Sequence, residues 1–410
     1  MREARLGDVV ASMKNGIYKP ATEYADDGMP CLRMYNIDAG GIVWRDIKRM
    51  RINDREFTDY GLHEGDLLVN RVNSRELVGK AAYIPASLEP SVFESKNIRL
   101  RLDRTKALPK FINYQLFARG SRHFANNAQQ VVGMASISQG QLADFPIVLT
   151  GLDEQHNIVA EIEKQFSRLD EAVANLQRVK ANLKRYKAAV LDVAFAGDLV
   201  ERTTASTDEI KWPLPQGWAW TTYSAIGEVT TGFTPPTADR ANFGGNTPFF
   251  KPTDLEAGDN VVMAREYLSE AGLSKGRRLR AGSVLVTCIG ATIGKTGLAR
   301  VECATNQQIN AVVPKPDVAD SRFVYWWTVS PRGQAQIHEN ASATTLPILN
   351  KSKFAALAVP LPPLVEQHRI VAEVDRRLSI VRGVEAEVDA NLKRAQALRQ
   401  AVLQRAFASP

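Results

Sequence analysis

The chain has little of what catalytic and membrane proteins usually display. Its three cysteines, Cys31, Cys288 and Cys303, stand apart with no C-x-x-C partner. That excludes a disulfide framework and is expected of a protein in a reducing cytoplasm. The five histidines do not cluster, and no H-x-x-x-H or His/Cys pair has ligand spacing, so no metal site is expected. No apolar run reaches the length of a membrane span, and no opening segment reads as a signal peptide. Neither N-P-P-Y nor D-P-P-Y is present to hold an extruded adenine. "GATIGKT", from Gly290, resembles a phosphate loop but places three residues where that loop needs four, and is expected to be a β-turn-β element. With no glycine-rich S-adenosylmethionine loop and no carboxylate cluster beside a lysine, no catalytic residue is expected.

What is present is a repeat. "EQHNIVAEI" begins at Glu154 and "EQHRIVAEV" at Glu366, an offset of 366 − 154 = 212. At the same offset Ala189-Val190-Leu191 recurs as Ala401-Val402-Leu403, and Ala194-Phe195-Ala196 as Ala406-Phe407-Ala408. Between these anchors apolar residues keep heptad spacing: Phe166, Leu169, Val173, Leu176, Leu183 and Val190, then Leu378, Val381, Val388, Leu392, Ala395 and Val402. Neither copy has an internal proline; Pro362-Pro363 precedes the second, and Gly197 follows the first where a C-cap glycine belongs. Each copy is predicted to be a helix of about 40 residues, about 60 Å long. A single apolar stripe needs a cover, and the obvious cover is the other copy, running antiparallel.

The segments before the helices repeat more faintly. "LGDVV" from Leu6 answers "IGEVT" from Ile226, "LHEGDLLVN" from Leu62 answers "LRAGSVLVT" from Leu279, and "LVGKAAYI" from Leu77 answers "TIGKTGLA" from Thr292. Turn glycines followed by β-rich apolar runs mark buried strands. The expected fold is α+β: two β-rich globular domains, residues 1–150 and 201–360, and two long helices, 151–200 and 361–410. The helices pack as an antiparallel coiled coil, and the whole is a pseudo-twofold tandem repeat. Of the 52 basic and 45 acidic residues, the globular segments hold 21 against 17 and 16 against 14, a surplus compatible with a polyanion but too small to demand one.

This order of domains and helices, with "LPPLVEQHRIVAEVDRRL" leading the second helix and "GFTPP" and "TNQQIN" in the second half, resembles the specificity subunit of a type I restriction–modification system. The first half departs from that pattern, with "NGIYKP" and "SKNIRL" in the corresponding places. The resemblance implies two domains that each read half of a split duplex DNA site, and helices that fix the gap and dock modification subunits. Those subunits bring S-adenosylmethionine and the methyl transfer; restriction subunits are expected as further partners, and this chain holds no cofactor. A fused methyltransferase or nuclease, and a helical scaffold without DNA binding, are the alternatives.

Base edges are read by Arg, Lys, Asn and Gln, and phosphates also by Ser and Thr. On turns present in both halves, the DNA-binding candidates are Lys14, Asn15, Tyr18, Lys19, Arg33, Tyr35, Asn36, Arg71, Asn73, Ser74, Arg75 and Lys80 in the first. In the second they are Thr231, Thr234, Lys251, Thr253, Thr287, Thr292, Lys295, Asn306, Gln307, Gln308, Thr344 and Thr345. The polar residues repeated at the helix starts, Glu154, Gln155, His156 and Glu161 with Glu366, Gln367, His368 and Glu373, are the candidates for docking two identical modification subunits.

Overall fold

The computed structural model describes residues 1–131, 133–196, 214–342 and 346–408. Thr344, Thr345 and Gly197 lie outside the described residues. The chain divides into two compact units, Met1–Leu176 with Ala390–Pro410, and Gln177–Asp389. The division therefore cuts both long helices, Leu152–Phe195 and Leu364–Ala406, in their middles rather than at their ends.

The first unit is built on a four-stranded antiparallel sheet in the order Val10–Asn15, Asn97–Leu102, Leu67–Asn70, Ala81–Tyr83. Its central strands are almost wholly buried, which explains their near-continuous apolar sequence. A second sheet places Tyr24–Leu32 between Lys48–Met50, antiparallel, and Val92–Phe93, parallel. Arg2–Arg5 pairs with Pro146–Leu149 and so ties the start of the domain to its end.

The second unit repeats this plan. Its main sheet runs Gly227–Thr231, Ile309–Pro314, Val284–Thr287, Thr296–Leu298. Phe243–Phe250 pairs antiparallel with Glu266–Leu268 and parallel with Ala304–Thr305, and Ala219–Thr222 closes on Ala358–Leu361. One difference follows from a proline. Where the first unit has the continuous helix Pro109–Asn127, the second has Ser321–Val329 and then Pro331–Asn340, because Pro331 can begin a helix but cannot continue one.

Each unit holds the beginning of one long helix and the end of the other, and both contribute to its core. In the first, Val159 and Ile162 lie with Leu403 and Phe407, and Phe407 meets Phe111 edge to face at 5.4 Å. In the second, Val371 and Val374 lie with Leu191 and Phe195, and Phe195 meets Phe323 and Trp327, each at 5.3 Å. Burial of each such aromatic contributes about 2 kcal/mol. In the second unit Lys180–Asp389 and Lys187–Glu385 require the segments to run antiparallel, and in the first Asp170–Arg399, together with Val159 and Ile162 beside Leu403 and Phe407, gives the same sense. Along the predicted stripe Val190, Leu378, Val381, Val388 and Ala395 are buried, whereas Phe166, Leu169, Val173, Leu176, Leu183, Leu392 and Val402 are half-buried. A pair of helices covers one face of each and leaves its flanks wet.

Candidate nucleic-acid interface

The turns singled out from sequence occupy equivalent places in the two units. Gly16 N–H donates to the Asn97 carbonyl at 3.1 Å and Ile17 N–H to Phe93 at 2.9 Å; Gly232 and Phe233 make the same bonds to Ile309 and Thr305, both at 2.9 Å. Both glycines are demanded by close approach, since a Cβ would sit 2.2 Å from the carbonyl oxygen of Glu94 or of Asn306. "GATIGKT" forms the expected turn between strands: Gly294 N–H donates to Thr287, as Gly79 N–H does to Asn70.

Around the first turn, Tyr18 is 83% exposed and Asn15 is exposed, its side chain accepting from Gln139. The neighbouring cations are spoken for. Lys14 pairs with Asp59 and lies over Tyr60, Lys19 pairs with Glu56, and Lys80 with Asp38. Arg33 pairs with Glu94 at 2.8 Å and stacks on Tyr35, whose hydroxyl donates to the Asp46 carbonyl. Although burial works against it, the Glu94 hydrogen bond and charge raise the Arg33 pKa further. Arg75 is exposed and donates to the Ala125 carbonyl; Ser74 is half-buried, as is Arg71, whose Nε is buried without a partner among the described residues.

Around the second turn, Gln307 is exposed, and its Oε1 accepts from the Thr234 hydroxyl. Gln308 is half-buried; Thr253 and Thr292 are exposed. Thr231 donates to Asn310, Lys251 pairs with Glu266 and Lys295 with Glu256.

Four candidates face inward and cannot touch DNA as placed. Asn36 is fully buried and bonds the backbone of Arg33, Val43 and Arg45. Asn73 extends a buried amide ladder through Asn70 to Asn97. Thr287 is wholly buried, and Asn306, 7% exposed, folds back on Gln308. The three asparagines meet backbone or side-chain polar groups that would otherwise be buried without a partner, whereas the Thr287 hydroxyl is itself buried with no partner among the described residues.

The docking candidates divide the same way. Glu154, His156, Glu161 and His368 are exposed, and Glu366 and Glu373 half-buried. The hydrogen bonds of Arg376 and Arg377 pull the Glu373 pKa down to about 2. Gln155 and Gln367 have no exposed surface and must be reassigned. Gln155 Oε1 accepts from Leu108 N–H at 2.8 Å, and its amide nitrogen donates to the carbonyls of Lys106 and Thr150 at 3.0 and 2.7 Å. Gln367 does the same with Asp320, Val318 and Pro362, at 2.8, 3.1 and 2.8 Å. They fasten each long helix to the domain that precedes it.

Sequence reasoning passed over Glu94, the structural counterpart of Asn306, and the basic run Lys275–Arg280. The repeated hydrogen bonds locate the first; the cluster of charge could have marked the second. Among the described residues no group of three or more His, Cys, Asp or Glu could hold a metal, and no helix is long and apolar enough to cross a membrane.

The family described as "Type I restriction modification DNA specificity domain" matches residues 215–388. The type I restriction enzyme EcoBI specificity subunit of Escherichia coli is 24% identical over 416 residues, covering 98% of this chain and 84% of that subunit. Among solved structures, a chain from a study of complex assembly and conformational transition of the type I R-M system aligns with 100% of this chain and 97% of its own, at 21% identity and a TM-score of 0.71. The HsdS subunit from Thermoanaerobacter tengcongensis aligns with 99% of this chain and 96% of its own, at 20% identity and a TM-score of 0.51. The second half of the chain thus matches a type I restriction–modification DNA specificity domain, and the whole chain is similar in sequence to a specificity subunit and in fold to solved chains of such systems.

Proposed function

We propose that this chain reads DNA for a type I restriction–modification complex and performs no catalysis itself. Residues 1–150 read one half of a bipartite duplex site and residues 201–360 the other. The paired helices set the gap and dock the modification subunits, which carry S-adenosylmethionine; restriction subunits complete the assembly in the cytoplasm. One observation supports this above others: the same sheet, the same glycine turn and the same long helix occur twice in a chain whose second half matches a DNA specificity domain. Joining two readers in one chain makes the second contact intramolecular and multiplies affinity.

The test is the methylation pattern of a genome carrying this chain and its modification partner. A split motif is expected. Four residues inserted after Leu176 and after Val388 add about 6 Å of helix and should lengthen the gap by about two base pairs with both words intact. A constant gap, altered words, or methyl transfer by the chain alone would each overturn the reading.

The exposed Glu154, His156 and Glu161 at one helix start and His368 at the other support two equivalent docking surfaces. Native mass spectrometry should therefore find two modification subunits per chain. A complex that saturates at one would refute this.

A further inference from the structure

The edge strand Gly227–Thr231 of the second unit borders a groove of about 710 Å³ that carries Arg277, Arg278, Arg280 and Lys315 against the acids Glu228 and Asp317. How these cations are partnered decides what the groove can hold. Arg278 is neutralised by Glu302 at 2.5 Å and Glu270 at 3.2 Å. Arg277 instead donates to the Thr230 hydroxyl at 2.5 Å and the Thr231 carbonyl at 3.2 Å, and Arg280 to the Pro314 carbonyl. Among the described residues, neither these two nor Lys315 has a carboxylate within ion-pair distance. Arg277 is thus oriented by neutral acceptors and keeps its charge, as a phosphate-binding guanidinium must.

The equivalent edge of the first unit, strand Val10–Asn15, is basic in sequence but discharged in structure. Lys14 pairs with Asp59 at 2.5 Å, Arg101 with Asp66 at 2.9 Å, and Arg99, itself buried, lies 3.9 Å from the same Asp66. Position completes the argument. Thr230 and Thr231, which hold Arg277, lead directly into the Gly232–Thr234 turn, so the groove is continuous with the candidate reading loop. From Glu228 to Thr231 the strand advances about 10 Å, which matches about three nucleotides of one DNA strand at about 3.4 Å each.

We propose that this groove grips the sugar–phosphate backbone beside the word read by the second unit, through Arg277 and Lys315, and that the first unit has no equivalent. The proposal rests on the DNA-reading function above. It is tested with the full chain and its modification partner, by measuring the affinity for a labelled duplex carrying the mapped site across a range of salt concentrations. Each phosphate contact contributes about 0.9 to the log–log slope, so the double variant Arg277→Ala/Lys315→Ala should be shallower by about 1.8 with both words unchanged. Lys315→Ala alone, an exposed change that spares the fold, should account for about half. Arg277→Lys should keep the slope, and so should Arg278→Ala, which removes a cation already paired. An unaltered slope in the double variant, an equal loss from Arg278→Ala, or a changed word would overturn the groove. Failure of the unaltered complex to bind the specific duplex would overturn the DNA-reading function itself.

Discussion

A chain with alanine at Asn306, Gln307 and Gln308 is expected to lose one half-site while its recognition of the other survives. Gln307 is exposed beside Thr234, and its amide suits a bidentate contact with adenine, worth about 1–3 kcal/mol or roughly 5- to 150-fold. Asn306 makes no such contact as placed. It holds the turn, donating to Gln308 Oε1 at 2.9 Å and accepting from Gln308 N–H at 3.2 Å, so its loss adds a misplaced loop to a missing contact. Methylation, which needs both words, should fall with the affinity. A footprint over the half-site read by residues 1–150 should persist at low salt, where phosphate contacts are strongest. Equal weakening of both half-sites in a folded variant would show that the two domains do not read independently.

The second large effect is on stability. Leucine at Gln367 preserves volume but removes three hydrogen bonds and leaves the part-buried Asp320 N–H and Val318 carbonyl and the buried Pro362 carbonyl without these partners. Unsatisfied groups of this kind cost about 1–3 kcal/mol each, and relaxation recovers part of that, so a net loss of about 3 kcal/mol is expected. For a unit of this size the midpoint of thermal unfolding should drop by about 6–12 °C. Gln155→Leu should cost the same, since its three bonds are the same. Calorimetry that found either variant within about 0.5 kcal/mol of the parent, as at an ordinary surface position, would return these glutamines to the docking surface.

The sequence revealed the repeat, both long helices and the pairing partners of their stripes, because helical periodicity and proline placement are local signals. The misassigned residues fail for one shared reason. Gln155 recurs as Gln367 and sits at a helix start, which from sequence looks exposed. Its partners Lys106 and Leu108 lie more than forty residues away, and nothing local announces them. Asn36, Asn73 and Asn306 are polar residues at turns, where bonding the backbone and bonding DNA call for the same side chains, and only burial separates the two uses; Thr287 is buried with its hydroxyl unpartnered among the described residues. The counterpart of Asn306 is Glu94, paired to Arg33, so the two reading edges differ chemically at a position the fold makes equivalent.

The placement of Leu403 and Phe407 in the core of the first unit has a consequence in time. Synthesis delivers residues 1–176 first, then the whole of the second unit as one unbroken stretch, Gln177–Asp389, and only afterwards the helix end that fills the first unit's core. At about 5–20 residues per second, that end follows on the order of ten to fifty seconds after Leu176. The domain begun first is completed last. Through that interval the apolar surface around Phe111 waits uncovered, and the second domain has every residue it needs to close before the first does.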